Sequence, residues 1–128
     1  MRQLGVPDLV WLNTAVVGRT GGSLGVRDAG ALEAAVARPY AGYGEKGLFP
    51  TPFDKAAALM ESVIQRCPFV DGNKRTGLLG GAEVLYLAGH DFSAPRDEMV
   101  EVAVALAEHK IEARQLSRWF EAYAKPLS

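Results

Sequence analysis

Apolar positions along the chain recur at helical spacing, three or four residues apart, and turn-forming residues separate the runs. Leu9, Leu12, Val16 and Val17 predict a helix over residues 8–19, with Pro7 and Asp8 suited to its first turn. The stretch Thr20-Gly21-Gly22-Ser23-Leu24-Gly25 ends it. Asp28 is placed to cap a second helix that buries Leu32, Ala35 and Val36 and stops at Pro39. Residues 40–51 carry Tyr40, Gly42, Tyr43, Gly44, Gly47, Phe49 and Pro50, too irregular for a helix, and predict a loop with a short hairpin; Lys46 within it reads as a solvated charge. Pro52 opens a third helix, residues 53–66, with Ala56, Leu59, Met60, Val63 and Ile64 as its apolar face.

The fourth run, residues 73–88, is apolar nearly all round through Leu78, Leu79, Ala82, Leu85 and Tyr86, which predicts the central, buried helix of a bundle. Gly77, Gly80 and Gly81 lie inside it. Each costs about 1 kcal/mol of helix propensity relative to Ala, so close packing against a neighbouring helix is the expected reason. Gly89 suits the residue past its end. A fifth helix is predicted over residues 95–110, with Asp97 and Glu98 early and Lys110 late, as the helix dipole prefers. A sixth, residues 113–124, turns Leu116, Trp119, Phe120 and Tyr123 inward. The pattern describes an all-α fold, a compact helical bundle around a central helix with a short flap loop or hairpin, in a single domain over residues 1–128.

The chemistry concentrates between the third and fourth helices, in Cys67-Pro68-Phe69-Val70-Asp71-Gly72-Asn73-Lys74-Arg75-Thr76. Pro68 disfavours helix at Cys67, and Asp71 and Gly72 favour a turn, with Asp71 a candidate N-cap. A helix start presents free N–H groups and the positive end of the dipole, a natural anion site. Asn73, Lys74 and Arg75 add donors and two charges there, and Gly72 lets an anion approach the backbone. Basic residues oppose the dipole at this end, which favours a ligand over a merely solvated turn. Asp71 is a candidate ligand for a divalent cation bridging phosphate oxygens. The loop therefore reads as a phosphate-binding loop with one candidate metal ligand.

Composition narrows the field. At 128 residues and 48% hydrophobic the chain suits one soluble domain with a real core, and a net charge of −1 argues against direct nucleic-acid binding. No apolar run approaches the roughly 20 residues of a membrane span, and the N-terminus lacks a signal-peptide core. One cysteine excludes an internal disulfide, so a cytoplasmic setting is expected; with His90 and His109 it gives no zinc spacing, and both histidines read as ordinary.

The decapeptide resembles the signature of the Fic/Doc family, His-Pro-Phe-x-Asp-Gly-Asn-Lys-Arg in its Doc (death-on-curing) branch. Eight of nine positions from Cys67 to Arg75 agree, and the exception puts Cys67 where the family has His. The resemblance extends to residues 21–39, where Gly-Gly-x-x-Gly-Val-Arg-Asp and Leu-Glu-x-Ala-x-Ala-Arg-Pro recur. It implies the toxin of a type II toxin–antitoxin module, transferring phosphate from ATP, with Mg²⁺, to a protein hydroxyl. In the family the target is a threonine of elongation factor Tu, and translation stops. Lys74 stands where AMP-transferring Fic proteins usually carry Gly, which favours phosphate transfer.

By the same resemblance Cys67 occupies the position of the general base, Asp71 binds Mg²⁺ or positions the phosphate, and Gly72, Asn73, Lys74 and Arg75 hold the phosphates. Phe69 anchors the loop, residues 40–51 form the flap beside the target segment, and Arg38 belongs to a recurrent Arg-Pro pair. A Phd-like antitoxin is the implied partner, a disordered segment folding onto a groove of the bundle. The chain carries no Ser/Thr-x-x-x-Glu-Gly-Asn inhibitory helix of its own. A thiolate lacks the second nitrogen by which His is oriented and sheds charge. Three readings of Cys67 follow: a weakened or inactive homologue, an enzyme with Cys as its base, or a His replaced to tame a harmful protein. Alternatives to the kinase are a non-catalytic module that binds nucleotide or antitoxin, and an AMP-transferring Fic-type enzyme.

Overall fold

The structure, a computed structural model, describes residues 2–43 and 46–127, with the backbone alone of Tyr43 and Lys46. The expectations for Lys46 as a solvated charge and for Gly44 lie outside the described residues. Among these residues there are six α-helices: α1 (Val6–Thr20), α2 (Ala29–Ala37), α3 (Pro52–Arg66), α4 (Asn73–Leu87), α5 (Arg96–Ala107) and α6 (Ala113–Ala122). A 3₁₀ turn, Arg38–Tyr40, follows α2, and Pro39 in it is buried. The predicted hairpin is present as β1 (Gly42–Tyr43) against β2 (Lys46–Gly47), antiparallel.

Local chemistry explains the helix ends. The Asp28 side chain accepts from Ala31 N–H at 3.0 Å and starts α2. Thr51 and Asp54 form a reciprocal capping box ahead of α3, with Pro52 in the first turn. Gly89 takes a positive φ just past α4, as predicted.

The burial pattern corrects one expectation. α3, not α4, is the helix at the centre: Ala56, Ala57, Ala58, Leu59 and Met60 are all buried in succession. It packs against α2, α4, α5 and α6. α4 lies along α3 through a strip of small residues, Thr76, Gly77, Gly80 and Gly81, and leaves Lys74, Arg75, Leu79 and Tyr86 in solvent. Glycine removes the bulk on the side facing α3, so the large apolar residues of α4 occupy its other faces, one of them open. Mean apolarity around a helix does not reveal that division.

A second feature had no signal in the periodicity. β3 (His90–Phe92) pairs antiparallel with β4 (Ala124–Pro126), clasping the end of α4 to the C-terminal segment. Phe92, Trp119 and Phe120 stack edge-on under it, and Tyr123 Oη donates to Glu98 at 2.6 Å. His90 packs on the Phe53 ring with Nδ1 buried and without a partner, while His109 is exposed at a positive φ. No helix of the described residues is long and apolar enough to cross a membrane.

Candidate anion-binding site

The loop 67–72 is held by contacts on every side. α3 ends at Cys67, which takes the left-handed conformation with φ 48° and ψ 61°. Its thiol turns back onto the carbonyl of Ile64 at 3.2 Å. Phe69 is buried, as expected of an anchor, and forms an isolated bridge with Val26. Residues 25–28 run beside the loop: Arg27 N–H and Asp28 N–H donate to Pro68 O at 2.7 and 3.1 Å, and Val70 N–H donates to Gly25 O at 3.0 Å. The glycine-rich segment after α1 therefore forms the second wall of the loop.

Asn73 closes the loop from inside. Its Oδ1 accepts from Phe69 N–H at 3.0 Å and its Nδ2 donates to Phe69 O at 2.9 Å. Both ends of that amide are thus engaged with backbone. Asn13 does the same from α1: Nδ2 donates to Asp71 O at 2.8 Å and to Thr76 Oγ1 at 3.1 Å. Asn13 is 2% exposed, and the pattern of α1 held a signal for it, since a polar residue sits on the stripe of Leu9, Val16 and Val17. Arg27, whose guanidinium reaches the end of α3, had no such signal.

The N-cap of α4 is Gly72, not Asp71. Gly72 has φ 79°, a conformation that costs a residue with a Cβ, and a Cβ there would meet Val16 at 3.2 Å and Asn13 at 3.3 Å. The Asp71 carboxylate points the other way and accepts from Ser23 N–H through Oδ2 at 2.7 Å. The cap is thus backbone alone. As a consequence the first-turn amides, those of Asn73, Lys74 and Arg75, meet no acceptor among the described residues.

These amides open on a pocket of about 250 Å³ lined by Val16, Thr20, Gly72, Asn73, Lys74 and Arg75. The structure therefore brings Gly72, Asn73, Lys74 and Arg75 together, and Lys74 and Arg75 are exposed without an ion-pair partner among the described residues. Cys67 and Asp71 are exposed and do not line this pocket. Arg38 is also exposed and lies over the Phe49 ring, 5.2 Å from its centroid, joining the end of α2 to the flap.

Among the described residues no three His, Cys, Asp or Glu side chains cluster around a potential metal. Asp71 Oδ1 has no hydrogen-bond partner among the described residues, so one oxygen of that carboxylate is uncommitted. One carboxylate oxygen is a ligand of the kind Mg²⁺ takes, since that ion commonly binds one or two carboxylates and completes its shell with phosphate oxygens and water.

A second, larger groove of about 530 Å³ adjoins the corner between α1, α4 and α5. Trp11, Leu12, Ala15, Leu79, Met99 and Val100 form its floor and walls, with Arg19, Arg75 and Arg96 among them. Trp11 and Val100 are 70% and 58% exposed, unusual for such large apolar side chains.

A mostly α-helical bundle with an Asp-Gly-Asn-Lys-Arg turn ahead of α4, and with unpaired helix-start amides beside two cations among the described residues, has the Fic/Doc architecture. The chain belongs to the Fic/DOC family, whose pattern it matches over residues 3–85. It is similar to the protein Toxin Doc of Mycolicibacterium smegmatis, at 44% identity over 77 residues, which cover 60% of this chain and 59% of that relative.

Proposed function

We propose that the chain is a Doc-type toxin that transfers the γ-phosphoryl group of ATP to a hydroxyl of a target protein. By the family resemblance the target is a threonine of elongation factor Tu and the outcome is inhibition of translation; the single cysteine favours a cytoplasmic setting. The observation that carries the reading is the start of α4: three unpaired amides, the Gly72 cap and the free Lys74 and Arg75 around one pocket. A polyphosphate meets there the partial positive charge of the helix end and two full charges.

In the transfer the hydroxyl oxygen bonds to the γ-phosphorus, the bond from that phosphorus to the β-bridging oxygen breaks, and ADP leaves. Phosphoryl transfer asks the protein mainly for positioning and charge stabilisation. Gly72 lets the phosphates approach the backbone, and Lys74 and Arg75 neutralise the charge. Asn73 keeps the loop closed through Phe69, so that the amides stay aimed. Asp71 is the residue that would hold Mg²⁺, and the ion would neutralise phosphate charge. Position 67 receives the hydroxyl proton in the family; here that group is a thiol.

The second reading, a binding module without catalysis, is favoured by Cys67 itself. Its thiol donates to Ile64 O, and Cys67 does not line the pocket. Loss of a general base costs about 10²–10⁴-fold in rate and need not disturb phosphate binding.

The partner in either reading is a small Phd-like antitoxin whose disordered segment folds on docking. The groove beside the corner has the chemistry for it: an apolar floor takes the apolar face of a helix, and Arg19, Arg75 and Arg96 take its carboxylates.

The deciding experiment incubates the protein with γ-labelled and α-labelled ATP, Mg²⁺ and elongation factor Tu, beside a Cys67→His variant. Transfer of γ-label by both establishes a kinase with Cys as base. Transfer by the variant alone supports the module reading. Transfer of α-label assigns AMP transfer instead, and no transfer by either protein sinks the phosphotransferase proposal.

A further inference from the structure

The most constrained backbone around the corner is at Cys67, and the constraint comes from a residue outside the loop. Cys67 is one of two non-glycine residues with positive φ among the described residues. A side chain in that region is sterically disfavoured and persists only where surroundings hold it. Cys67 N–H donates to Val63 O at 3.0 Å, and Arg27 grips the backbone on both sides of the residue. Its Nε donates to Cys67 O at 2.8 Å and its Nη2 donates to Arg66 O at 2.8 Å.

Those two carbonyls are not interchangeable acceptors. The Arg66 carbonyl lies in the peptide plane that precedes the Cys67 Cα, and the Cys67 carbonyl lies in the plane that follows it. Because each peptide unit is planar, fixing both planes fixes φ and ψ at residue 67 together. The direction of its Cα–Cβ bond then follows. The guanidinium is suited to this, being a flat fork with donors at fixed angles. It also places a cation at the C-terminus of α3, where unpaired carbonyls gather negative charge. The backbone of Arg27 is anchored in turn, since its own N–H donates to Pro68 O at 2.7 Å.

We infer that Arg27 is a positioning residue for position 67: it sets the direction in which that side chain leaves the backbone, and hence its aim at an incoming hydroxyl. The inference rests on the phosphotransferase reading for its consequence in catalysis, but not for its geometry. Neither Arg27 nor Cys67 lines the anion pocket, so the effect separates from phosphate binding.

The test uses Arg27→Gln and Arg27→Lys, each in the chain with Cys67 and in the Cys67→His protein. In the chain with Cys67 the readout is the intraresidue Hα–HN NOE of Cys67, strong at positive φ and weak in ordinary helix or strand. Arg27→Gln weakens it markedly, and Arg27→Lys, which keeps the charge and loses the fork, gives an intermediate value. ATP affinity stays within about twofold in both. In the Cys67→His protein, Arg27→Gln lowers kcat by about tenfold or more, as a misplaced group does, while KM for ATP is unchanged. An undiminished NOE in Arg27→Gln overturns the inference. So does a joint fall of ATP affinity and kcat, which marks Arg27 as a general prop of the fold. Should Arg27→Gln not fold, the charge-retaining Arg27→Lys decides on the same readouts. Should neither the Cys67 chain nor the Cys67→His protein transfer phosphate, the transfer reading fails, and the NOE still decides the role of Arg27.

Discussion

Gly81 and Gly18 both lie inside helices, and the same substitution has opposite consequences at the two. A Cβ on Gly81 would meet Phe120 Cζ at 2.7 Å and Ala56 O at 3.3 Å; on Gly18 it would meet nothing within 4 Å. Ala gains about 1 kcal/mol of helix propensity over Gly at either place. At Gly18 that gain stands alone, and Gly18→Ala raises the urea midpoint accordingly. At Gly81 the methyl collides with a buried ring and a backbone carbonyl, and overpacking of about 1–3 kcal/mol outweighs the gain. Gly81→Ala therefore lowers the midpoint, and Gly80→Ala does so too, with Leu9 Cδ1 at 2.9 Å and Leu59 Cδ2 at 3.0 Å in its way. A raised midpoint for Gly81→Ala would contradict the packing of α4 on α3 and α6.

At the scale of elements, Asp54 serves two helices. It caps α3 through Thr51, whose N–H donates to Oδ2 at 3.3 Å, and it accepts from Ser117 Oγ of α6 through Oδ1 at 2.7 Å. Burial pushes its carboxyl upward, but the hydrogen bonds from Ser117 and Thr51 win and hold it below the ordinary value. The sign for stability follows from that direction. A depressed carboxyl contributes stability above its unfolded value, near pH 4, and loses it as pH falls through the lower folded value. Asp54→Asn thus removes part of the acid sensitivity in that window, and Asp54→Ala costs about 1–2 kcal/mol at neutral pH, read from denaturant midpoints with Ser117→Ala as the partner in a double-mutant cycle. Pro52 announced the start of α3 in the sequence, because first-turn chemistry is local, whereas Asp54 was not read there as part of the cap. Its reach to Ser117, 63 residues on, was not legible, and neither was the pairing of His90–Phe92 with Ala124–Pro126. Such contacts depend on where helices come to rest. The grouping of the corner residues was legible because its parts are consecutive: Gly72, Asn73, Lys74 and Arg75 are neighbours in the chain and in the pocket. Asp71 was misread as the cap because an Asp before a helix favours that role locally, while the amide of Ser23, 48 residues away, takes the carboxylate instead.

Taken whole, the molecule keeps two cations that cost stability at one end of α4, a cost that the proposed anion site explains. Lys74 and Arg75 stand at the positive end of the helix dipole, and each such cation destabilises a helix by about 0.3–1 kcal/mol. Neither has a carboxylate partner among the described residues to offset this. The corner is not a detachable loop: Asn13 and Val16 of α1, the strand-like residues 25–28, the end of α3 and the start of α4 all meet there. An anion bound at it therefore bears on the folding equilibrium of the entire domain. In thermal unfolding, ATP at a hundredfold excess over its Kd stabilises the native state by about 2.7 kcal/mol, with a corresponding rise in Tm. The Lys74→Gln, Arg75→Gln double variant reverses the balance. Without ligand its Tm lies above that of the parent, because two unfavourable charges are gone. With ATP or pyrophosphate its Tm moves little, because the charges that held the anion are gone as well. Added salt weakens the ligand-induced shift in the parent and leaves the double variant almost unaffected. A double variant that melts lower without ligand and still shifts fully with ATP would show that Lys74 and Arg75 support the fold, and that the anion binds elsewhere.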